Sequence, residues 1–203
     1  MKIHLKVCGM REQQNLHELV ALEPDFIGFI FYPQSPRFVE GYELPKIPDQ
    51  IKKVGVFVNE SEEQILKLVI RYGLNMVQLH GDETIDLANS LRNKGIGVLK
   101  VLSVTDKMPH EEIKMFEGSV DYFLFDTKTP KHGGSGMKFD WNILQQYDSK
   151  VPFFLSGGIE LEDVEKIKAL GIDQLFAIDV NSKFEISPGL KDIEKIKALK
   201  DQL

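Results

Sequence analysis

The stretch YFLFDTKTPKHGGSG, residues 122–136, indicates both the fold class and the position of an active site. Its apolar half, Tyr122–Phe125, is typical of a strand buried on both faces, and it delivers a carboxylic acid, Asp126, to the C-terminal end of that strand. A glycine-bearing loop follows, which can close over a small molecule. The only cysteine of the chain, Cys8, ends another strand-like run. An acid and a thiol at two strand ends predict an active site on one face of a parallel sheet.

Apolar runs of this kind recur along the chain and alternate with longer amphipathic stretches. Most carry Val, Ile, Leu and Phe at successive positions, which is typical of parallel strands covered by helices rather than of antiparallel strands facing water. Eight strands are predicted, at Ile3–Cys8, Phe26–Phe31, Lys53–Val58, Met76–His80, Val98–Leu102, Tyr122–Asp126, Pro152–Leu155 and Gln174–Val180.

Eight strand–helix units predict one (β/α)8 TIM barrel domain over residues 1–203, although 203 residues is short for this fold. A doubly wound open sheet is the alternative. It would gather the active residues near one switch point, whereas the candidates here follow many different strands.

Helix signals lie between the strands. Ser61 and Gln64 have the spacing of a capping box at the start of a helix that ends near Gly73. The stretch 40–50 contains Gly41, Pro45 and Pro48, so the second helix of the barrel is predicted to be reduced. Further helices are predicted at Thr84–Lys94, Asp140–Tyr147, Glu162–Leu170 and Asp192–Leu199.

The composition excludes several classes of protein. The net charge of −6 argues against nucleic-acid binding, which needs a basic face. One cysteine cannot form an internal disulfide, which fits a reducing compartment. The N-terminus has no apolar signal core, and no run approaches the ~18 apolar residues of a membrane span. We therefore expect a cytoplasmic protein without a membrane partner. No long apolar stripe or coiled-coil pattern is evident, which favours a monomer.

Long segments of the chain resemble the phosphoribosylanthranilate isomerases, a family of barrel enzymes in tryptophan biosynthesis. They follow the order of that family and are KVCG (6–9), GFIFYPQSPRFV (28–39), VGVFVNE (54–60), VQLHGDE (77–83), FDTKTPKHGGSGMKFDW (125–141), LSGGI (155–159) and the segment 178–185. The resemblance implies an Amadori rearrangement of N-(5-phosphoribosyl)anthranilate to 1-(2-carboxyphenylamino)-1-deoxyribulose 5-phosphate. It implies a small phosphorylated substrate and neither a metal nor an organic cofactor.

The resemblance assigns Asp126 as the general acid and Cys8 as the general base. An acid must hold its proton near neutral pH, so the pKa of Asp126 is predicted to be raised by burial or by a negative neighbour. A thiol base must be partly ionised, so the pKa of Cys8 is predicted to shift toward the working pH. The resemblance also assigns Arg37 to bind the carboxylate of the anthranilate ring. Its planar guanidinium can bind a carboxylate bidentately.

The phosphate site is predicted at backbone amides after the last strands, where glycines permit close approach. Candidates are Gly157, Gly158, Asn181, Ser182, Gly133 and Gly134. The resemblance places Asp179 and His80 at the same pocket. Asp179 binds the substrate amine or tunes the acid, and His80 lines the substrate site or only orients a loop; the sequence leaves these roles open.

The chain departs from the family after the eighth strand. The usual Ser-Ser-Gly-Val-Glu reads NSKFE at 181–185, so Lys183 replaces a glycine. Lys183 constrains this loop, points outward or adds charge near the phosphate, and the sequence does not decide between these.

Two other functions remain open from the sequence. A related barrel enzyme acting on another phosphoribosyl substrate has the same fold, because barrels support many reactions. A barrel that binds phosphorylated metabolites without turnover fits the altered 181–183 loop. The histidines do not have the spacing of metal ligands.

Overall fold

The structure is a computed structural model that describes residues 2–127 and 138–203. Eight parallel strands, paired in chain order and closed by β1 on β8, form a barrel. They are β1 (His4–Cys8), β2 (Phe26–Ile30), β3 (Lys52–Phe57), β4 (Met76–Leu79), β5 (Gly97–Val104), β6 (Tyr122–Thr127), β7 (Phe153–Leu155) and β8 (Leu175–Val180). The predicted barrel is confirmed, and the alternative of an open sheet is wrong.

Helices cover the outside of the barrel. They are α1 (Gln13–Ala21), α2 (Glu62–Tyr72), α3 (Ile85–Asn93), α4 (His110–Phe116), α5 (Val164–Ala169) and α6 (Ile193–Lys200). The connection 31–51 contains turns and no helix, which confirms that the second helix is reduced. The segment Trp141–Gln146 is a 3-10 helix where the sequence predicted an α-helix. A short hairpin after β8, β9 (Glu185–Ser187) and β10 (Leu190–Lys191), was not predicted.

The start of α2 shows which local signals hold. The Ser61 hydroxyl accepts a hydrogen bond from the Gln64 backbone N–H at 3.3 Å, as predicted. The reciprocal half of the capping box is wrong, because the Ser61 backbone N–H donates to Glu60 Oε1 at 2.7 Å. The Gln64 side chain donates to Glu40 Oε1 at 3.2 Å. Gly73 ends the helix in the left-handed conformation, with φ 59°.

The barrel interior changes in character from one end of the strands to the other. Its N-terminal part is filled by one apolar cluster drawn from β2 through β8: Phe26, Val54, Met76, Leu99, Val101, Leu124, Phe154 and Ala177. Because side chains of a strand alternate between faces, the next inward residues lie two positions further on. These include Gln78, Asp126 and Asp179, so the C-terminal end of the interior is polar.

A larger apolar cluster joins the outer faces of the strands to the helices. Both faces of most strands are therefore buried, as their composition predicted. In the described part of the chain, no helix is long and apolar enough to cross a bilayer.

Candidate active site

A cavity of about 630 Å³ opens at the C-terminal ends of the strands. Every predicted site residue that the structure describes lines it: Cys8, Arg37, His80, Asp126, Gly157, Gly158, Asp179, Asn181 and Ser182. Gly133 and Gly134, together with the rest of the glycine-bearing loop at 128–137, lie outside the described residues.

Asp126 sits where β6 enters the cavity, with its side chain 14% exposed. Its Oδ1 accepts a hydrogen bond from the Thr127 backbone N–H at 2.9 Å. Its Oδ2 lies 3.7 Å from His80 Nε2. Burial raises the pKa of Asp126 to about 6, and the nearby Asp179 adds to the shift, although the Thr127 amide and Lys6 oppose it. The predicted direction for this carboxyl is confirmed.

Cys8 ends β1 and is buried in the same cavity wall. Gly28 on β2 makes the room for the thiol, since a Cβ at that position would lie 2.7 Å from Cys8 Sγ. The predicted direction of the pKa shift of Cys8 is wrong. Burial raises the pKa of Cys8, Asp179 adds to the rise, and the charges of Lys6 and Lys191 offset only part of it.

Lys6 is a site residue that the sequence analysis missed. It lies two positions before Cys8 on β1 and is fully buried. Its ammonium donates to Asp179 Oδ2 at 2.7 Å and to Gln78 Oε1 at 2.8 Å. Burial lowers the pKa of Lys6, but the charges of Asp179 and Cys8 raise it by a larger amount, so its pKa lies above the ordinary value. Lys6 is therefore a buried cation beneath the cavity floor.

Asp179 is the anionic partner on β8. Its Oδ2 holds Lys6, whereas its Oδ1 is buried without a hydrogen-bond partner among the described residues. Asp179 raises the pKa of Asp126. The structure thus brings Asp179 close enough to tune the acid, which is one of the two roles that the sequence left open.

Arg37 follows β2 and reaches the opposite loop after β8. Its Nε and Nη2 donate to the two carboxylate oxygens of Glu185, at distances from 2.6 to 3.1 Å. One edge of the guanidinium that the sequence analysis reserved for substrate is therefore already engaged. Glu185 was not among the predicted site residues.

The predicted phosphate amides lie together after β7 and β8. Gly157 and Gly158 both have positive φ angles, 92° and 66°. A Cβ at Gly157 would lie 2.4 Å from Thr127 Oγ1, so only glycine fits beside the end of β6. Ser182 begins the 3-10 helix Ser182–Phe184. Backbone amides without bulky side chains are therefore available at this side of the cavity.

Lys183 lines the cavity and also joins two loops. Its Nζ lies 3.3 Å from Glu160 Oε1, which follows β7, and its carbonyl accepts a hydrogen bond from Lys195. The structure therefore places Lys183 at the cavity edge with its ammonium paired to Glu160, and the effect of Lys183 on phosphate binding stays a prediction.

His80 closes another side of the cavity, after β4. Gln78 Nε2 lies 3.3 Å from His80 Nδ1, so the amide that binds Lys6 also contacts the imidazole. The following loop is fixed by Glu83, which accepts hydrogen bonds from the Gly81 amide and from the buried Lys100. Over residues 2–127 and 138–203, no cluster of three or more potential metal ligands is present.

Comparisons with known proteins identify the family. Residues 5–202 match the family model described as N-(5'phosphoribosyl)anthranilate (PRA) isomerase. The N-(5'-phosphoribosyl)anthranilate isomerase of Parabacteroides distasonis is 45% identical over 98% of this chain and 92% of its own length. The chain belongs to the phosphoribosylanthranilate isomerase family. It is an isomerase enzyme of tryptophan biosynthesis.

Solved structures of this family have the same fold. The phosphoribosylanthranilate isomerase of Thermotoga maritima superposes with a TM-score of 0.84 at 35% identity, covering 99% of this chain and 98% of its own. A second structure, with a TM-score of 0.81 at 32% identity, covers 99% of this chain and 98% of its own. It is described as a complex with reduced 1-(o-carboxyphenylamino)-1-deoxyribulose 5-phosphate. The Thermotoga maritima isomerase is also described as dimeric, which leaves the predicted monomer a prediction for this chain.

Proposed function

We propose that the cavity converts N-(5-phosphoribosyl)anthranilate to 1-(2-carboxyphenylamino)-1-deoxyribulose 5-phosphate, with Asp126 as general acid and Cys8 as general base. One observation carries the assignment: Asp126 is the penultimate residue of β6, Cys8 is the last residue of β1, and both line the same cavity. These strands are separated by β7 and β8 around the closed barrel, so the acid and the base approach a ligand from different sides.

The acid begins the reaction. Asp126 donates its proton to the ring oxygen of the furanose, the C1′–O bond breaks, and the lone pair of the anthranilate nitrogen forms the C=N bond of a protonated Schiff base. The raised pKa of Asp126, about 6, keeps a useful fraction of the carboxyl protonated near neutral pH.

The base completes the rearrangement. The thiolate of Cys8 removes the proton from C2′, and the electron pair moves to neutralise the Schiff base, giving an enolamine that relaxes to the ketone. Burial raises the pKa of Cys8, so little thiolate is present before substrate binds. The positive charge of the Schiff base favours the thiolate at the moment when the base is needed.

The remaining groups bind the substrate. The Gly157–Gly158 turn and the amides at Asn181 and Ser182 suit the phosphate, with Lys183 adding positive charge at the same edge. Asp179 Oδ1, which has no hydrogen-bond partner within residues 2–127 and 138–203, suits the anthranilate N–H. Gly133 and Gly134 remain predicted contributors from the loop, and His80 remains a predicted contact near the acid.

The ionisation states give this assignment a distinctive pH dependence. Catalysis needs Asp126 protonated and Cys8 ionised, but the pKa of the acid is the lower of the two. We expect kcat/KM to fall about tenfold per pH unit below pH 6, where the thiolate fraction falls. Between pH 6 and the pKa of Cys8, kcat/KM should be nearly constant, because the rise in the thiolate fraction offsets the fall in protonated Asp126.

The test is turnover of phosphoribosylanthranilate by the wild type and by Cys8→Ala and Asp126→Asn. We expect each variant to lose about 10³-fold in kcat while it still binds the reduced product analogue, since an acid or a base contributes about 10²–10⁴-fold. Circular dichroism and ligand binding show that the variants are folded. Folded variants that retain turnover would rule out the acid–base pair. Tight binding by the wild type without turnover would favour a metabolite sensor instead.

We also propose a cytoplasmic monomer. The cysteine is buried and unpaired, which suits a reducing compartment. The exposed large apolar side chains in the described part of the chain lie on different segments and are Tyr42, Ile70, Met115 and Ile186. Sedimentation velocity at micromolar concentration would test the monomer, and a dimer would contradict it.

A further inference from the structure

The β9–β10 hairpin places one carboxylate between two cations at the edge of the cavity. Glu185 accepts hydrogen bonds from Arg37, and its Oε1 also accepts one from Lys191 Nζ at 2.6 Å. The Glu185 side chain is only 5% exposed, and that of Lys191 is fully buried. Such a cluster must be held in one arrangement, because each buried charge depends on its partner.

The charges of this cluster do not balance. Burial lowers the pKa of Lys191 to about 8, so below that pH Arg37 and Lys191 supply two positive charges, and Glu185 supplies one negative charge. Burial by itself raises the pKa of Glu185, but the hydrogen bonds from Arg37 and the charge of Lys191 outweigh it, and the pKa lies below its usual value. A positive charge therefore remains beside the cavity, where Arg37 is a lining residue. It suits an anion from a ligand.

The guanidinium geometry shows which edge of Arg37 is available. Glu185 occupies the edge formed by Nε and Nη2. A guanidinium has a second edge, formed by Nη1 and the other N–H of Nη2, which also matches a carboxylate. Among the described residues, Arg37 Nη1 makes no hydrogen bond. Glu185 thus fixes the plane of the guanidinium while leaving this second edge to a ligand.

The backbone around this cluster is held in place as well. Asn15 on α1 accepts a hydrogen bond from the Lys191 N–H at 2.6 Å and donates one to the Lys191 carbonyl at 2.9 Å. Gly9, with φ 77°, lets the Arg37 side chain pass, since a Cβ there would lie 2.6 Å from Arg37 Cδ. The hairpin is therefore a fixed support for Arg37.

We propose that Glu185, held by Lys191, is a positioning residue that aims the second edge of Arg37 at the ring carboxylate of the substrate. This inference rests on the proposed function, which gives Arg37 that carboxylate. Through Arg37, Glu185 sets the affinity for ligands that carry the carboxylate, so a ligand without the carboxylate should be affected much less.

Two ligands test the proposal by competition against turnover. One is reduced 1-(o-carboxyphenylamino)-1-deoxyribulose 5-phosphate, and the other is its reduced 1-phenylamino counterpart without the ring carboxylate. We expect Glu185→Gln to weaken the first ligand about tenfold, because charge-assisted bidentate binding depends on orientation. Binding of the second ligand should change less than about twofold. Glu165→Gln, which removes an exposed glutamate paired with Lys168, is the control and should affect neither ligand.

Arg37→Ala distinguishes the role of Arg37 in binding the carboxylate from the role of Glu185 in positioning Arg37. If it weakens both ligands equally or neither, the proposed role of Arg37 fails. If it weakens only the carboxylate ligand while Glu185→Gln weakens both equally or neither, Arg37 binds the carboxylate and the positioning role of Glu185 is overturned. Glu185→Asp, which keeps the charge and shortens its reach, allows the same comparison if the glutamine variant does not fold.

Discussion

The two ends of the barrel interior are built from the same strands and have opposite chemistry. At the N-terminal end, inward side chains such as Leu99, Leu124 and Phe154 form a dry apolar cluster. Two residues further along β6, the inward side chain is Asp126, a carboxyl with a raised pKa. Burial of the apolar cluster at the N-terminal end therefore stabilises the folded state. Burial of charged groups at the C-terminal end costs free energy.

This comparison predicts that mutations at the two ends affect different properties. The largest expected effect is on stability, at the apolar end. Phe154 is completely buried and contacts the rings of Phe26, Tyr122 and Phe176. Phe154→Ala should lower the free energy of unfolding by about 4 kcal/mol, as large cavities in a core do. Urea denaturation measures the loss, and kcat/KM of the folded fraction should stay within about twofold. A large loss of kcat in the folded variant would show that the two ends are not independent.

The next effect is a gain in stability at the polar end. The pKa of Asp126 rises from 3.8 to about 6 on folding, so the folded state favours the protonated carboxyl. Its stabilising contribution is complete below pH 4 and is lost as pH rises through 6, where the buried group must ionise. The total is about 3 kcal/mol, at 1.36 kcal/mol per pKa unit. Because asparagine does not ionise, Asp126→Asn does not lose this contribution and should be up to about 3 kcal/mol more stable than the wild type at pH 7.5.

Urea denaturation at pH 4 and pH 7.5 tests this sign. The stability advantage of Asp126→Asn should be near zero at the lower pH and should grow toward the higher one. An advantage that shrinks as pH rises would mean that the carboxyl is stabilised in its charged form.

The smallest effect sharpens the comparison with a matched pair of glycines. Gly28→Ala would place a methyl group 2.7 Å from Cys8 Sγ and 3.0 Å from Cys8 Cα, so the thiol must shift. We expect about a tenfold loss of kcat and about 1–2 kcal/mol of stability. Gly97→Ala, at the opposite end of the barrel, would crowd the flexible side chain of Met76 at 2.8 Å. It should have a similar effect on stability and no effect on kcat, and equal losses of kcat would contradict the assignment of Cys8.

The sequence predicted the parts of this molecule that have a local signal. Apolar runs predicted all eight barrel strands, and the positions of Cys8 and Asp126 at strand ends predicted their shared cavity. The segment Asp140–Tyr147 was wrong in type, because apolar spacing over so few residues does not separate an α-helix from the observed 3-10 helix.

The charged groups beneath the cavity were missed because their partners are distant in sequence. Lys6 meets Asp179 across 173 positions, and nothing near Lys6 predicts that a lysine is completely buried. One signal was available, since Lys6 and Cys8 are two residues apart on a strand and share a face. The pKa of Cys8 was wrongly predicted for the related reason that the cost of burying its thiolate depends on the packed structure.

The proposed mechanism depends most on a carboxyl with a raised pKa at the polar end of the barrel. The direct measurement is the pKa of Asp126 by NMR of the 13C-labelled carboxyl, assigned by the signal that disappears in Asp126→Asn. We predict a pKa of about 6, and a lower value in Asp179→Asn, where the neighbouring negative charge is removed. A pKa near 3.8 in the wild type would leave about a hundredfold less protonated Asp126 at neutral pH than a pKa of about 6 does, and would contradict its role as the general acid.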